Sequence, residues 1–505
     1  MDKKRGILNI FFAISFKIII MLLALFTRKY IVRYLGNELN GLSSLYESIV
    51  GVLCVVELGI GSAITFSMYK PIIENDKRKV NALYVLYKKM YLIVGFIILF
   101  LGVIVMFFLP KMVNSETINK YDLYFGYLSY LISIFITYLY SSKMSLIIAY
   151  KNNYVTSITT SLCQILLYVM QMFSLYIFKS FIVFNIIRII TNSIVYLILT
   201  IYVNKNHKDV IEGNNSINEE EKKEVYKNIK AMFLHKIGAK LVNTSDNIII
   251  SAFLGIEILG FYSNYATLAI SLMALLNLVF TSLTSIIGHY YVSKNNDEIE
   301  KYYRFFHTIN FVIGLLFFLG YFSIIDQFIS IFYDNNDLSL LLEREVVVLI
   351  SISFFIQYFR KATLMFKDAT GTFYNDRYVP LLEGGINIIL SIIFAKYFGI
   401  FGIILATIIT NLFICYIFEP IILYKYAFKK ESKMFMIKNY GYTLLFILSV
   451  VIFNKICVIE VDSKLLELFY SGLCSVGITL IITILVIIID KNFRTILFRS
   501  LKRKR

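Results

Sequence analysis

The chain has 505 residues, of which 58% are hydrophobic and only 16% charged, with a mean hydropathy of +0.72. A soluble domain carries about 25% charged residues, so a soluble enzyme, a secreted domain and a nucleic-acid-binding protein are excluded. The formal charge of +17, from 50 Lys and Arg against 33 Asp and Glu, is read first as membrane topology, because short cytoplasmic loops collect basic residues.

A bilayer core of about 30 Å takes about 20 apolar residues per helix. In chain order the apolar runs predict fourteen spans, near 7–35, 43–69, 90–109, 122–150, 154–178, 181–203, 231–254, 258–290, 305–333, 341–366, 379–397, 400–423, 439–456 and 465–489. Lys3-Lys4-Arg5 before the first run has the look of a signal peptide. It lacks a small-residue cleavage site and the run continues too far, so a retained first helix is expected. The alternating ten-residue pattern of a membrane barrel is missing. With the N-terminus inside, 36 of the 50 Lys and Arg fall in cytoplasmic segments, 7 on the opposite side and 7 within spans. That asymmetry predicts cytoplasmic N- and C-termini. The abundance of Lys, Asn, Ile, Tyr and Phe suggests an AT-rich coding sequence, hence a bacterial cytoplasmic membrane. The five cysteines form no C-x-x-C pair, the four histidines have no ligand spacing, and no phosphate-binding loop occurs. Neither a cofactor nor a metal is expected.

The chain also repeats itself. Leu35-Gly36-Asn37-Glu38 through Tyr46 matches Leu254-Gly255-Ile256-Glu257 through Tyr265 as L-G-x-E-x-x-G-x-x-S-x-Y. The same offset pairs Lys17 with Lys236, Asn9 with Asn228, Ser62 with Thr281, and Ile189–Asn192 with Ile408–Asn411. Six helices separate the copies, an even number, so the repeats are parallel and related by an axis along the membrane normal. The expected organisation is a six-helix bundle over 1–204, a cytoplasmic linker over 205–230, a second bundle over 231–426, and two extra helices with a basic tail over 427–505. The motif glycines are expected to serve tight turns.

The run Arg28-Lys29-Tyr30-Ile31-Val32-Arg33-Tyr34-Leu35-Gly36, followed by Glu57-Leu58-Gly59-Ile60-Gly61-Ser62-Ala63 and Tyr69-Lys70-Pro71, resembles the start of Wzx-type polysaccharide flippases. These share a superfamily (MOP) with the lipid II flippases and the MATE multidrug antiporters, and the resemblance covers essentially the whole chain. It implies a V-shaped pair of bundles around a central cavity, working by alternating access. It also implies a cargo: an undecaprenyl-pyrophosphate-linked oligosaccharide moved to the outer leaflet, with membrane lipids and other polysaccharide assembly proteins as partners. In the lipid II branch, basic residues on the first helix line the cavity; Arg28 looks similar, and Glu57 resembles an acidic position on the second helix.

Seven bases lie within the spans: Lys17, Arg28, Lys29, Arg33, Arg188, Lys236 and Lys240. Each is costly in hydrocarbon and is expected to face a cavity or another charge. Lys17 and Arg28 share a face of the first helix, about 16 Å apart along its axis. Lys236, Lys240, Asn243 and Asn247 share a face of the seventh, and Asn247 is the repeat partner of Arg28. Arg33 and Lys29 have snorkelling to the outer headgroups as an alternative, and Lys17 a long inward reach; Lys236 and Lys240 have the inner interface. Arg360 and Lys361 either guard a cytoplasmic entrance or mark the basic edge. Glu57 and Asp246 either pair with bases or carry a coupling cation, and pairing is preferred. The cationic cavity favours a pyrophosphate cargo over the alternative, a MATE-like multidrug or cation antiporter, whose cavity is expected to be acidic or apolar. An enzyme is not expected, since no large extracytoplasmic loop carries a catalytic set.

Overall fold

The computed structural model describes residues 3–57, 60–115, 117–213, 215–293, 296–333, 340–372, 375–457 and 463–502. Within the helices it describes no side chains for 3–14, 62–63, 224, 227–228, 230–243, 278–279, 281–282, 285–286, 289, 292–293 and 499–502. Every regular element among the described residues is helical, and eleven stretches are long and apolar enough to cross a membrane. The protein is a multi-pass helical membrane protein. Contacts divide it into two compact units, Met1–Gly260 and Phe261–Arg505.

The first unit contains α1 (Lys3–Leu35), α2 (Asn37–Leu53), a 3₁₀ turn (Cys54–Glu57), α3 (Ile60–Ile73), α4 (Lys77–Met106), α5 (Leu109–Val113), α6 (Lys120–Ala149), α7 (Asn153–Phe178), α8 (Phe181–Asn206), α9 (Lys208–Ile211), α10 (Glu219–Leu254) and the start of α11 (Ile256–Ser293). Side chains stop fraying at several starts. Asp76 accepts from Lys79 N, Asn119 from Tyr121 N and Ser180 from Val183 N, each meeting one of the orphan amides of a first turn. Helix α6 packs on α4 and α8, α7 packs on α1 and α8, and α10 packs on α2. Buried tyrosines knit these helices: Tyr46 donates to Leu123 O at 2.7 Å and its ring meets Tyr127, Tyr130 and Phe181. The ring fills apolar space while the hydroxyl finds a carbonyl, so no polar group is stranded.

The sequence repeat has a backbone counterpart. Gly36 divides α1 from α2 at φ 91°, ψ 167°, and Gly255 divides α10 from α11 at φ 97°, ψ 161°. Only glycine adopts that region freely. The copies also touch within the first unit. Asn37 Nδ2 donates to Glu257 O at 3.0 Å and Asn40 Nδ2 to Gly260 O at 3.3 Å. A Cβ on Gly41 would stand 2.2 Å from Ile256 O, and one on Gly260 2.4 Å from Asn37 O. The second glycine of the motif is therefore there for close backbone approach, in addition to the turn expected of the first.

The second unit runs on through α12 (Asn296–Phe332), α13 (Arg344–Phe359), α14 (Lys361–Thr370), α15 (Val379–Thr410), α16 (Tyr416–Leu423), α17 (Lys433–Ile456), α18 (Lys464–Ile489) and α19 (Lys491–Lys502). Two five-residue π turns, Asn411–Cys415 and Tyr424–Phe428, flank α16. Helix α12 is its centre and packs on α13, α14, α17, α18 and α19. Stacked rings fill the core, with Phe355 on Phe446 at 3.9 Å and Phe311 on Tyr442 at 4.3 Å between centroids.

Two expected spans are not single helices. The run 43–69 is cut by the 3₁₀ turn after Leu53, and 341–366 is cut at Arg360 into α13 and α14. Within 43–69 and 341–366, hydropathy reads apolar length and is blind to where one helix gives way to the next. The gap expected between the runs 379–397 and 400–423 coincides with the break in α15 at Gly399 (φ 57°). The charged end of the expected linker, Glu219-Glu220-Glu221, is the first turn of α10, where acids suit the helix dipole.

Candidate functional site

Helix α2 carries a polar stripe. Asn40, Ser44, Glu47 and Ser48 stand at i, i+4, i+7 and i+8, one face of a helix. Three other helices bring side chains to it. Arg28 of α1 donates from Nη1 to Asn40 Oδ1 and to Ser44 Oγ, both at 3.1 Å. Arg188 of α8 approaches Glu47 Oε1 with Nη2 at 3.4 Å, while Glu47 Oε2 lies 3.9 Å from Arg28 Nη2. Asn247 of α10 donates to Ser48 Oγ at 2.9 Å. The Arg188 guanidinium also lies over aromatic faces, 4.9 Å from the centroid of Tyr130 and 6.0 Å from that of Phe184. Such contacts attract a cation to the electron-rich ring.

The stripe thus gathers two guanidiniums and one carboxylate, a local excess of one positive charge. The arginine side chains are 17% and 18% exposed, whereas Glu47 is 44% exposed. Two planar guanidinium forks with spare donors, at the depth of an apolar helix, are suited to a multiply charged oxyanion such as a phosphate or pyrophosphate.

The sequence matches the polysaccharide biosynthesis protein family over residues 7–288. The chain belongs to that family. No curated relative matches it in sequence. Among solved structures it is similar to the lipid II flippase MurJ in an inward closed conformation, at 15% identity and TM-score 0.64, over 98% of this chain and 99% of that one. It is also similar to an inward-facing multidrug resistance MATE family transporter of the MOP superfamily, at 14% identity and TM-score 0.61, over 87% of this chain and 96% of that one. A point mutant of the MATE transporter VcmN of Vibrio cholerae matches at 14% identity and TM-score 0.55, over 81% of this chain and 93% of that one. This family member therefore has the MOP superfamily's helical membrane fold.

Of the residues singled out from sequence, the structure brings Arg28, Arg188 and Asn247 to the stripe of α2. Lys17 and Arg33 are exposed on α1, and Arg33 lies 5.9 Å from the ring centroid of Tyr34. Glu57 sits in the 3₁₀ turn beside Tyr138, which also bonds Cys54 Sγ at 3.3 Å. Asp246 is half-buried on α10. Lys236 and Lys240 fall on α10, but their side chains lie outside the described residues.

Arg360 anchors a separate network in the second unit. It bonds Glu383 at 2.8 and 3.2 Å and Glu419 at 2.7 and 3.3 Å, with Asn411 of the first π turn as a further acceptor. Lys367 pairs with Asp376 and stands 3.9 Å from Glu419. The carboxylates here are enclosed, Glu383 at 5% and Glu419 at 3% exposure. Lys361, half-buried at the start of α14, adjoins the network.

Sequence reasoning missed Asn40, Ser44, Glu47 and Ser48 as a site. The signal was available: four polar residues at helical spacing inside an apolar span. Asn40 and Ser44 were absorbed into the turn motif, which hid the periodicity.

Proposed function

We propose that this protein is a flippase, not an enzyme, that carries undecaprenyl-pyrophosphate-linked oligosaccharide units to the outer leaflet for surface polysaccharide assembly. The observation that carries this reading is the Arg28–Glu47–Arg188 cluster with its net positive charge. A pyrophosphate leaving water needs cationic partners, the lipid tail can remain in the bilayer, and membership of a polysaccharide biosynthesis family fits such a cargo. The fold similarity to a lipid II flippase supports a lipid-linked substrate. The two repeats, 1–204 and 231–426, would alternate access by rocking. Arg360 and Lys361 are proposed for the cytoplasmic side and, on the loop charges, so are the N- and C-termini, in a bacterial inner membrane.

The test is complementation in cells lacking the chromosomal copy. Arg28→Ala combined with Arg188→Ala is expected to cut surface polymer by at least about tenfold while lipid-linked oligosaccharide accumulates. Membrane abundance of the variant should match wild type. Unchanged polymer would remove the two arginines from the transport path. Unchanged lipid-linked intermediates with altered efflux of cationic dyes would favour the antiporter reading instead.

A further inference from the structure

Glu47 stands between the Arg28 and Arg188 guanidiniums, and it is held loosely. Each of its oxygens reaches one arginine, at 3.4 and 3.9 Å, and no other hydrogen bond or ion pair to it occurs among the described residues. The Arg360 network shows what a permanent ion pair looks like in the same molecule. There both carboxylates meet the guanidinium through two oxygens, at 2.7–3.3 Å, and are almost fully enclosed. Glu47 is 44% exposed by contrast.

The two arginines do not depend on Glu47 for their positions. Asn40 and Ser44 hold Arg28, and the Tyr130 and Phe184 rings flank Arg188. Arg188 also keeps a buried Nε–H without a hydrogen-bond partner. A buried donor left unmatched is costly, and an incoming oxyanion would satisfy it. If Glu47 swung aside, the receiving site would remain assembled with more donors free than before.

We propose that Glu47 is a displaceable counter-ion. It neutralises the arginine pair in the empty carrier, gives way to the cargo's pyrophosphate, and then competes for the arginines so that cargo can leave. The inference rests on the flippase reading and assigns a role inside that site. A carrier must bind well enough to load and weakly enough to unload. Two unopposed guanidiniums would satisfy only the first condition.

The test compares wild type with Glu47→Gln, both as full-length protein in lipid nanodiscs, using undecaprenyl pyrophosphate as probe and undecaprenol as the uncharged control. Removing the internal competitor is expected to tighten pyrophosphate binding about tenfold, to leave undecaprenol binding unchanged, and to lower surface polymer in cells. Tighter binding with poorer export separates a competitor from a merely structural residue. Should Glu47→Gln fail to insert, Glu47→Asp draws the carboxylate back by one methylene and should shift both readouts the same way by a smaller factor. Unchanged or weaker pyrophosphate binding in the variants, where wild type binds it and the Arg28→Ala, Arg188→Ala pair does not, overturns the role of Glu47 and leaves the flippase reading standing. Failure of wild type to prefer the pyrophosphate over undecaprenol overturns both.

Discussion

Gly41→Ala is expected to abolish recovery of folded protein, whereas Gly385→Ala and Gly441→Ala leave it unchanged or improved. The added Cβ at Gly41 meets Ile256 O at 2.2 Å and Gly260 N at 2.9 Å. Both are backbone atoms, fixed by the first turn of α11, so no side chain can rotate out of the way. The helices must separate, which breaks the Asn37 and Asn40 bonds to Glu257 O and Gly260 O. Overpacking at a yielding site costs about 1–3 kcal/mol; backbone against backbone belongs in the rare class above about 4 kcal/mol. Gly260→Ala is expected to behave likewise, since its Cβ would stand 2.4 Å from Asn37 O. Gly385 and Gly441 lie in helices with nothing within 4 Å of a new Cβ, and there alanine gains about 0.5–1 kcal/mol in helix propensity. Size-exclusion profiles of detergent-solubilised protein after stepped heating read all four variants. Normal stability of Gly41→Ala would mean that α2 and α11 do not meet this closely.

The second large effect is expected at Arg360. Replacing it with methionine leaves Glu383 and Glu419 buried without their main partner, and breaking a buried pair from one side costs about 3–5 kcal/mol. Lys367, 3.9 Å from Glu419 and already paired with Asp376, offsets little of this. The triple variant Arg360→Met, Glu383→Gln, Glu419→Gln removes the charges together and is expected to recover much of the loss. Heating profiles of purified protein compare the two. A single variant as stable as wild type, yet defective in export, would identify Arg360 as a transport residue and not as a structural tie.

The fold was legible in the sequence wherever apolar length or charge asymmetry carried it. The duplicated Leu-Gly-x-Glu motif even located the paired breaks at Gly36 and Gly255. Interruptions inside apolar runs were not legible. The turn at Cys54–Glu57 and the division at Arg360 involve residues that hydropathy counts as ordinary members of a span, whereas the bend at Gly399 falls in the gap expected between 379–397 and 400–423. The site was half legible. Arg28 and Arg188 announced themselves because charge is rare in lipid. Glu47 stood in plain view among the acidic residues but gained meaning only when α1 and α8 brought an arginine to each oxygen. Its pairing with Arg188 joins positions more than a hundred residues apart, and no local pattern encodes it.

Asn40 has a consequence that reaches beyond its own bonds. Its one amide group accepts from Arg28 and donates to Gly260 O, and the side chain is fully buried. The acceptor and the donor cannot exchange places without losing both partners. The cationic site and the seam between α2 and α11 therefore share a single orientation. By reciprocity, whatever free energy an anion at Arg28 contributes to loosening that seam, an opened seam must return as altered affinity for the anion.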